Sequence, residues 1–308
     1  MLRPWSFIRE TRPPWRALPD PLPGTIGYDD GRPIIRLSAT RPARIVDGPA
    51  FSLCHTHGYN YGHWLADCLP ALLDVTDLAA AGRLSVLLPP TTAWQRRTLE
   101  LLGVPPSAVV EVGHATVAVA DLVCNSYGGS SHIAYPGPLL VEVFRRLGSA
   151  ASPADVTRPR LVFVGRRQSG YPREFLDEVQ LEDSLRGLGF VPLHPEAMTV
   201  DEQVAAFSHA EVVVGPHGSA LMNAAFAPRG CLVVDIIPEH LRPRAIYEMT
   251  RLMGHRLIVQ YASQWTPDGA KAPSGAIAPT AAVRFSLDAV EIVERVRAGM
   301  ERLGIAPG

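Results

Sequence analysis

The sequence contains almost no lysine. Lys271 is the only one, so the other 28 of the 29 basic residues are arginines. They are balanced by 30 acidic residues, which gives a formal net charge of -1. This balance argues against a protein that binds nucleic acid through its overall charge. Arginine presents a planar fork of donors, so the bias instead supplies side chains suited to phosphate or carboxylate groups.

Cysteine is also scarce. Cys54, Cys68, Cys124 and Cys231 lie far apart and form no C-x-x-C pair. This spacing argues against a zinc knuckle and against a disulfide framework, and it predicts buried thiols in a reducing compartment.

Long apolar runs are missing as well. No stretch reaches the roughly 18 apolar residues of a transmembrane helix. Residues 1–16 contain prolines and arginines where a signal peptide would have its apolar segment. Hydrophobic residues nevertheless make up 47% of the chain, which excludes a largely disordered protein. We therefore expect a soluble, cytoplasmic, globular protein.

Short apolar runs alternate with helical patterns, most regularly after residue 158. This alternation predicts an α/β fold with a parallel sheet flanked by helices. Residues 148–158 are rich in Ser, Ala, Pro and Asp and lack an apolar period, so they are expected to separate two domains. In the second half, strands are predicted at Leu161–Val164, Phe190–Leu193, Val212–Val214, Leu232–Ile236 and Leu257–Val259.

The strongest local motif follows the apolar run at Val212–Val214. It continues as Gly-Pro-His-Gly-Ser over residues 215–219, where a helix is predicted to begin. The first N–H groups of a helix bind anions, and glycine lets a phosphate approach the backbone closely. His217 adds a donor, and Asn223 is predicted on the same helix face as Ser219. The alternative is a tight turn with a structural histidine.

An arginine-rich loop follows the predicted strand Leu161–Val164. It contains Arg166, Arg167 and Arg173 around a flexible Ser-Gly pair. Since guanidinium groups bind phosphate oxygens in pairs, this loop is suited to a diphosphate. The alternative is a solvated basic loop. Further along the chain, after the Gly-Pro-His-Gly-Ser motif, Asp235 and Glu239 could accept hydrogen bonds from ribose hydroxyls.

A third cluster holds three histidines, His55, His57 and His63, followed by Asp67. Three histidines with a carboxylate could bind a metal, as in a mononuclear hydrolase. Alternatively, Asn60 caps a helix on which His63 and Asp67 lie four residues apart as an acid/base pair. The third interpretation is a polar helix start at a domain surface.

These motifs resemble glycosyltransferase family 61. Residues 60–70, NYGHWLADCLP, are similar to the family segment NYYHWLLDxLPR, and residues 165–178 are similar to its SR…R…NE block. Residues 214–236 are similar to its block around GpHGAgLtN, and Phe285–Ala289 looks like its tail. The chain departs from the pattern at four positions, where Gly165, Asp177, Ala220 and Asp235 replace Ser, Asn, Gly and Glu.

The resemblance implies a GT-B architecture, with two Rossmann-like domains that face each other across a cleft. The N-terminal, acceptor-side domain would span residues 1–155, with an irregular arm over 1–33. The nucleotide-sugar-binding domain would span residues 156–284, and a helix within 285–308 would pack back on the N-terminal domain.

The resemblance also implies inverting transfer without an obligatory metal or other cofactor. The donor would be a nucleotide sugar, expected to be UDP-linked, and the acceptor a saccharide or glycolipid. Surface or capsular polysaccharide synthesis is the expected setting, with peripheral contact at the inner membrane face. Two other functions stay open: a metal-dependent hydrolase that uses His55, His57 and His63, and a non-catalytic nucleotide-sugar-binding protein.

Residue roles follow from the same resemblance. Asp67 or His63 would be the base that takes the proton of the acceptor hydroxyl. Asn60, Tyr61 and Trp64 would lie on the acceptor side. The donor's diphosphate and nucleotide would be bound by Arg166, Arg167, Arg173, His217, Gly218, Ser219, Asn223 and Glu239.

Overall fold

The structure, a computed structural model, separates the chain into two compact units, residues 1–133 and 134–308. Both are mixed α/β units with parallel sheets. The boundary predicted from the sequence lies at residue 155, and it would place the helix Leu139–Ala150 in the first unit. In the structure this helix belongs to the second unit. The described residues are 26–29, 32–35, 44–54, 58–113, 117–124, 137–166, 173–239, 241, 244–265 and 283–308.

The first unit contains a four-stranded parallel sheet. Its strands are β3 (Arg44–Ser52), β4 (Ser85–Leu88), β5 (Val109–Glu111) and β6 (Val117–Val123), after an antiparallel hairpin of β1 (Ile26–Asp29) and β2 (Arg32–Ile35). The order in the sheet is β5-β4-β3-β6. The predicted irregular arm therefore includes a paired strand. A buried cluster on the sheet contains Val46, Ala50, Leu87 and Val117.

The helices of the first unit begin with a broken segment. The helical segment that follows Asn60 contains a π-helical turn at Trp64–Cys68. Pro70 explains this, because it has no N–H to donate to the carbonyl four residues earlier. The α-helices are α1 (Tyr61–His63), α2 (Leu69–Leu72), α3 (Thr76–Ala80) and α4 (Ala93–Leu101).

The second unit contains a seven-stranded sheet. Its strands are β7 (Leu161–Val164), β8 (Arg173–Phe175), β9 (Val191–Leu193), β10 (Val212–Pro216), β11 (Leu232–Pro238), β12 (Arg256–Trp265) and β13 (Val283–Ser286). The order is β8-β13-β12-β11-β10-β7-β9. The five strands from β9 to β12 are parallel, which confirms the predicted parallel sheet, and β13 pairs antiparallel with β12. Neither β8 nor β13 was predicted as a strand.

Helices connect these strands. They are α5 (Leu139–Ala150), α6 (Glu178–Arg186), α7 (Val200–Phe207), α8 (Arg244–Met253) and α9 (Ala289–Leu303). A capping box begins α7, because Thr199 and Glu202 exchange side-chain and backbone hydrogen bonds. The apolar face of α5 is buried, and the Phe144 ring packs edge-on against Phe226 of the same unit.

The last helix packs within the second unit. Ala289, Ile292, Val296 and Met300 of α9 belong to a buried cluster that also contains strand residues such as Phe163. Apolar side chains of that unit's own sheet cover this stripe, so it lies in the core of the second unit. The expected packing of the helix on the N-terminal domain stays a prediction.

Three of the four cysteines are buried, and Cys124 is exposed. The prediction of buried thiols is therefore wrong for Cys124. All four are free thiols. Burial raises the pKa of Cys54 and of Cys231 to about 12, which keeps these two thiols protonated and unreactive.

Among the described helices, none has the length and apolar character needed to cross a bilayer.

His255 lies between α8 and β12 and is partly buried. Both of its ring nitrogens are shielded from solvent. Burial lowers the pKa of His255 to about 4, and the backbone at Ala224 offsets only part of this effect. The folded state therefore favours the neutral ring.

We expect His255 to make the protein sensitive to acid. Between about pH 6.5, where an unfolded histidine titrates, and about pH 4, the unfolded chain binds this proton and the folded chain does not. Stability is present above this window and is lost as the pH falls through it. The Tm of the wild type should therefore fall more steeply across this window than that of His255→Leu. His209→Gln, at an exposed histidine, is the control and should follow the wild type; equal slopes for wild type and His255→Leu would contradict the prediction.

Candidate functional site

The carboxyl ends of five neighbouring parallel strands form one edge of the second unit's sheet. Among these five strands, β9 comes after β7 in the chain and lies on one side of it, and the next strand, β10, lies on the other side. The chain therefore changes direction between β7 and β10, and ligands of open α/β sheets bind at such a point. Gly165 and Arg166 follow β7, and His217 and Gly218 follow β10. The two motifs singled out in the sequence thus meet at this switch point.

His217 is held by a carboxylate beneath it. Its Nδ1 lies 2.9 Å from Oδ2 and 3.0 Å from Oδ1 of Asp235. Asp235 is fully buried in β11, where its backbone pairs with Gly215 of β10. The backbone N–H of His217 donates to the carbonyl of Ile236 at 2.7 Å. A carboxylate on one ring nitrogen orients the imidazole and favours the proton on that nitrogen. The suggested contact between Asp235 and ribose is therefore wrong, since its side chain supports His217 inside the protein.

Arg166 joins the two loops. Its Nη1 donates to the backbone carbonyl of His217 at 2.6 Å. An added Cβ at Gly218 would lie 2.8 Å from the same Nη1, so a side chain at this position would have to displace the guanidinium. The arginine loop and the His217 turn, which are separated by about 50 residues in the sequence, therefore form one group with a guanidinium, an imidazole and backbone N–H groups at the edge of the sheet.

Glu178 and His194 also belong to this group, and sequence reasoning did not identify either as a site residue. Glu178 is only 3% exposed, and its Oε1 accepts the backbone N–H of Arg166 at 2.6 Å. His194 follows β9 and packs so closely that an added Cβ at Gly165 would lie 2.5 Å from its Cε1. A signal for Glu178 existed, because it lies three and seven residues before Leu181 and Leu185 and thus continues the buried stripe of α6.

Asn223 lies in the interior of the second unit. It is fully buried, and its Nδ2 donates to Oε1 of Gln203 at 2.8 Å. The prediction placed it on the same face as Ser219 of an α-helix. Ser219–Phe226 is instead a 3₁₀-helix, in which residues four apart point in different directions because a turn takes three residues. Ser219 begins this helix and is partly exposed. The Asn223 amide is therefore held inside the second unit, and its assignment to the donor site stays a prediction.

Of the remaining predicted donor residues, the structure describes Glu239 and the backbone of Arg173. Glu239 follows β11, is partly exposed, and its backbone N–H donates to the carbonyl of Ala262 at 3.1 Å. Arg167 lies outside the described residues. The backbone of Arg173 is in β8, beside Val283 of β13, and its side chain is outside the described part of the structure.

In the first unit, His63 and Asp67 form the predicted pair. Nδ1 of His63 lies 2.7 Å from Oδ2 of Asp67, and both side chains are about one-sixth exposed. The pair lies on the segment that follows β3, the strand at which the order of the first sheet reverses. Asp67 and Trp64 lie within the π-helical turn, and π turns inserted into α-helices are frequent at functional sites.

Asn60 caps this segment as predicted. Its Oδ1 accepts the backbone N–H groups of Gly62 and His63 at 3.0 and 3.3 Å. The Tyr61 ring packs edge-on against Trp94 with centroids 5.3 Å apart, and burial raises the pKa of its phenol.

Trp64 is a core residue. It is 1% exposed, and its Nε1 donates to Oγ1 of Thr98 at 2.8 Å. Its ring also packs edge-on against Trp94. The Trp64 indole therefore makes its contacts inside the first unit, and its acceptor-side role stays a prediction.

The metal hypothesis rests largely on residues outside the described part of the chain. His55 and His57 lie there, so the structure does not place them beside His63. Among the described residues, no group of three or more His, Cys, Asp or Glu side chains is arranged to hold a metal ion.

Comparisons with known proteins give one assignment. A search among curated proteins finds no match to this chain. The family model described as glycosyltransferase 61 matches residues 61–234, which is more than half of the 308 residues. The match begins in the segment that carries His63 and Asp67 and extends past His217 into β11. This protein is a glycosyltransferase, and it belongs to glycosyltransferase family 61.

Proposed function

We propose that the protein transfers a sugar, with inversion, from a nucleotide-sugar donor to a hydroxyl group of a saccharide or glycolipid acceptor. Family membership supports the class of reaction. The observation that carries the donor assignment is the contact between Arg166 and the His217 backbone at the strand switch point. The GT-B arrangement of two Rossmann-like domains belongs to the same proposal.

The donor's diphosphate is bound by the second unit. Arg166 supplies positive charge, His217 supplies its second ring nitrogen, and the backbone at Gly218 and Ser219 supplies N–H groups. Asp235 and Glu178 fix His217 and the Arg166 backbone before the ligand arrives. Such fixed donors stabilise the charge that develops on a departing diphosphate at little cost of reorganisation. Arg167, Arg173 and Glu239 complete the proposed donor set.

The first unit supplies the base. The acceptor oxygen attacks the anomeric carbon, the bond from that carbon to the diphosphate breaks, and UDP leaves with the electron pair. We assign the proton of the acceptor hydroxyl to Nε2 of His63, because Nδ1 is engaged by Asp67. Asp67 then orients the ring and stabilises the imidazolium, as a carboxylate does for the general base of a Ser-His-Asp triad.

The proposed reaction needs no metal ion. In this proposal the cationic side chains after β7 take the place of the divalent cation that many nucleotide-sugar enzymes use to neutralise the diphosphate. The cellular setting is part of the proposal too: surface or capsular polysaccharide synthesis, in the cytoplasm, with peripheral contact at the inner membrane face. That setting is supported by the family resemblance.

Nucleotide binding tests the donor assignment. UDP at about 100 times its Kd should add about 2.7 kcal/mol of stability and raise the Tm by a few degrees. GDP, CDP, ADP and uridine serve as comparisons, each measured with and without EDTA. We expect a shift with one nucleoside diphosphate that EDTA does not change. A shift with zinc or manganese alone would overturn the assignment and favour the metal-dependent hydrolase.

A further inference from the structure

The second unit has a cavity of about 650 Å³ beside the end of β12. It lies among the starts of α6 and α9 and the end of β13, and it shares no residue with the proposed donor set. This volume is within the range of small-molecule sites. The cavity is lined by Asp177, Gln180, Gln260, Tyr261, Ser263, Trp265, Ser286, Leu287, Asp288, Ala289 and Glu291.

Gln260 is a buried polar residue with an unmet hydrogen bond. It is 5% exposed and lines the cavity. Within the described residues its Oε1 has no partner, and its Nε2 makes only long contacts, of 3.4 Å to the Tyr261 carbonyl and 3.5 Å to Oε1 of Glu291. Buried polar groups in native proteins are rarely left unpaired. The amide is therefore expected to bind a ligand that offers a hydrogen-bond donor, such as a hydroxyl group.

The charged side chains that line the cavity indicate which kind of ligand it binds. Asp177, Asp288 and Glu291 contribute three carboxylates, and among the lining residues that the structure describes none is basic. Phosphates and uronates are disfavoured, because like charges repel at short range. The carboxylates already have protein partners: Asp177 accepts the N–H of Leu287 at 2.9 Å, and Asp288 that of Val290 at 2.8 Å. Glu291 pairs with Arg295 at 3.2 Å. Each carboxylate is therefore fixed by a different partner. In this arrangement the carboxylates can accept hydrogen bonds from hydroxyl groups, but they do not form the ligand shell of a cation.

Two aromatic side chains add an apolar surface. Tyr261 is 45% exposed although it is large and lies on a strand. The Trp265 indole N–H donates to Oγ of Ser286, which fixes the orientation of the ring. A pyranose has an apolar face of C–H groups and a rim of hydroxyls, so it matches a wall with aromatic rings, amides and carboxylates.

We propose that this cavity binds an uncharged pyranose, one sugar of the acceptor or product glycan other than the sugar that carries the reacting hydroxyl. The assignment of this sugar to the acceptor or product glycan rests on the proposed function. The binding of a pyranose in the cavity does not depend on that function. Asp177 lines the cavity and the next residue, Glu178, holds the backbone of Arg166. The start of α6 therefore connects the sugar cavity to the donor loop.

The test is a titration followed at Trp265. The full chain is labelled with 5-fluorotryptophan, and the Trp265→Phe variant assigns the ¹⁹F signal. Glucose, galactose, mannose, N-acetylglucosamine and glucuronate are added one at a time. At least one neutral sugar should shift the signal in a saturable way. Glucuronate, which differs from glucose by one carboxylate, should bind about tenfold more weakly or worse, a difference of ~1.4 kcal/mol.

Matched variants locate the sugar. Gln260→Leu should abolish the shift. Gln264→Leu, which alters an equally buried glutamine of the same strand that does not line the cavity, should retain it. Gln180→Ala, on an exposed lining residue, covers the case in which Gln260→Leu does not fold and should weaken binding at least severalfold. No shift with any neutral sugar, a shift only with calcium or uridine, or unchanged binding in Gln180→Ala would each overturn the proposal.

The outcome separates this inference from the proposed function. UDP binding without sugar binding would overturn the cavity assignment and leave the donor assignment in place. Sugar binding at Trp265 without any nucleotide-induced shift in Tm would support the cavity and contradict the donor assignment.

Discussion

Replacing His63 with alanine is expected to lower the turnover number for sugar transfer by about 10²- to 10⁴-fold, the usual contribution of a positioned general base. The reason is that no other group would take the proton of the acceptor hydroxyl as it attacks. The binding of UDP should be unchanged, because His63 belongs to the first unit and the proposed diphosphate site to the second. The measurement is steady-state transfer with the acceptor varied, together with the UDP-induced shift in Tm.

A substitution at Asp67 shows which residue of the pair is the base and which one positions it. If Nε2 of His63 is the base, Asp67→Asn should lower turnover less than His63→Ala does, with little change in the acceptor KM. A larger loss in Asp67→Asn than in His63→Ala would make Asp67 the base. Asp74→Asn, at an exposed aspartate seven residues further along, is the control and should retain wild-type turnover. Wild-type turnover in both His63→Ala and Asp67→Asn would remove the pair from the mechanism.

Replacing Arg166 with alanine should have the second-largest effect. It removes one guanidinium from the proposed diphosphate site and the hydrogen bond that holds the His217 carbonyl. Removal of one such preorganised donor lowers turnover by about 10²- to 10³-fold in other enzymes. We therefore expect a loss of that size, together with a weaker UDP-induced shift in Tm.

Arg160 provides a matched control at the other end of β7. Arg160 immediately precedes this strand, whereas Arg166 follows it. The Arg160 guanidinium makes two contacts with Glu211 on the surface, at 2.9 and 2.8 Å. Exposed ion pairs contribute little to stability, so Arg160→Ala should transfer sugar and bind UDP as the wild type does. Equal losses in the two variants would show that Arg166 acts through the stability of the sheet, and wild-type turnover in Arg166→Ala would exclude it from the donor site.

Two residues of the sequence-based assignment have buried side chains. Asn223 was selected by its spacing from Ser219 and Trp64 by its place in the family segment, yet both lie in the core. For Asn223 the helix type decided the outcome, since a 3₁₀ turn rotates residue 223 away from Ser219. For Trp64 the partner is Thr98, 34 residues away, and spacing within one segment contains no information about such a contact.

The strand order decided which motifs meet. Arg166 and His217 are 51 residues apart and come together because β7 and β10 are neighbours. Asp235 reaches His217 because β11 lies on the other side of β10. A residue pattern along the chain predicts each strand, but several orders of the same strands would satisfy that pattern.

The sequence by itself determined the parallel α/β character of the second unit, the Asn60 cap, the His63–Asp67 spacing and the family. Each of these depends on contacts or patterns within a few residues, where the periods of helices and strands decide the outcome. The tertiary structure alone decided that Asp235 lies beneath His217, that Glu178 holds the Arg166 backbone, and that Gln260 lines a sugar-sized cavity. These depend on contacts between distant segments, which form only when burial of the apolar faces brings the strands into one particular order.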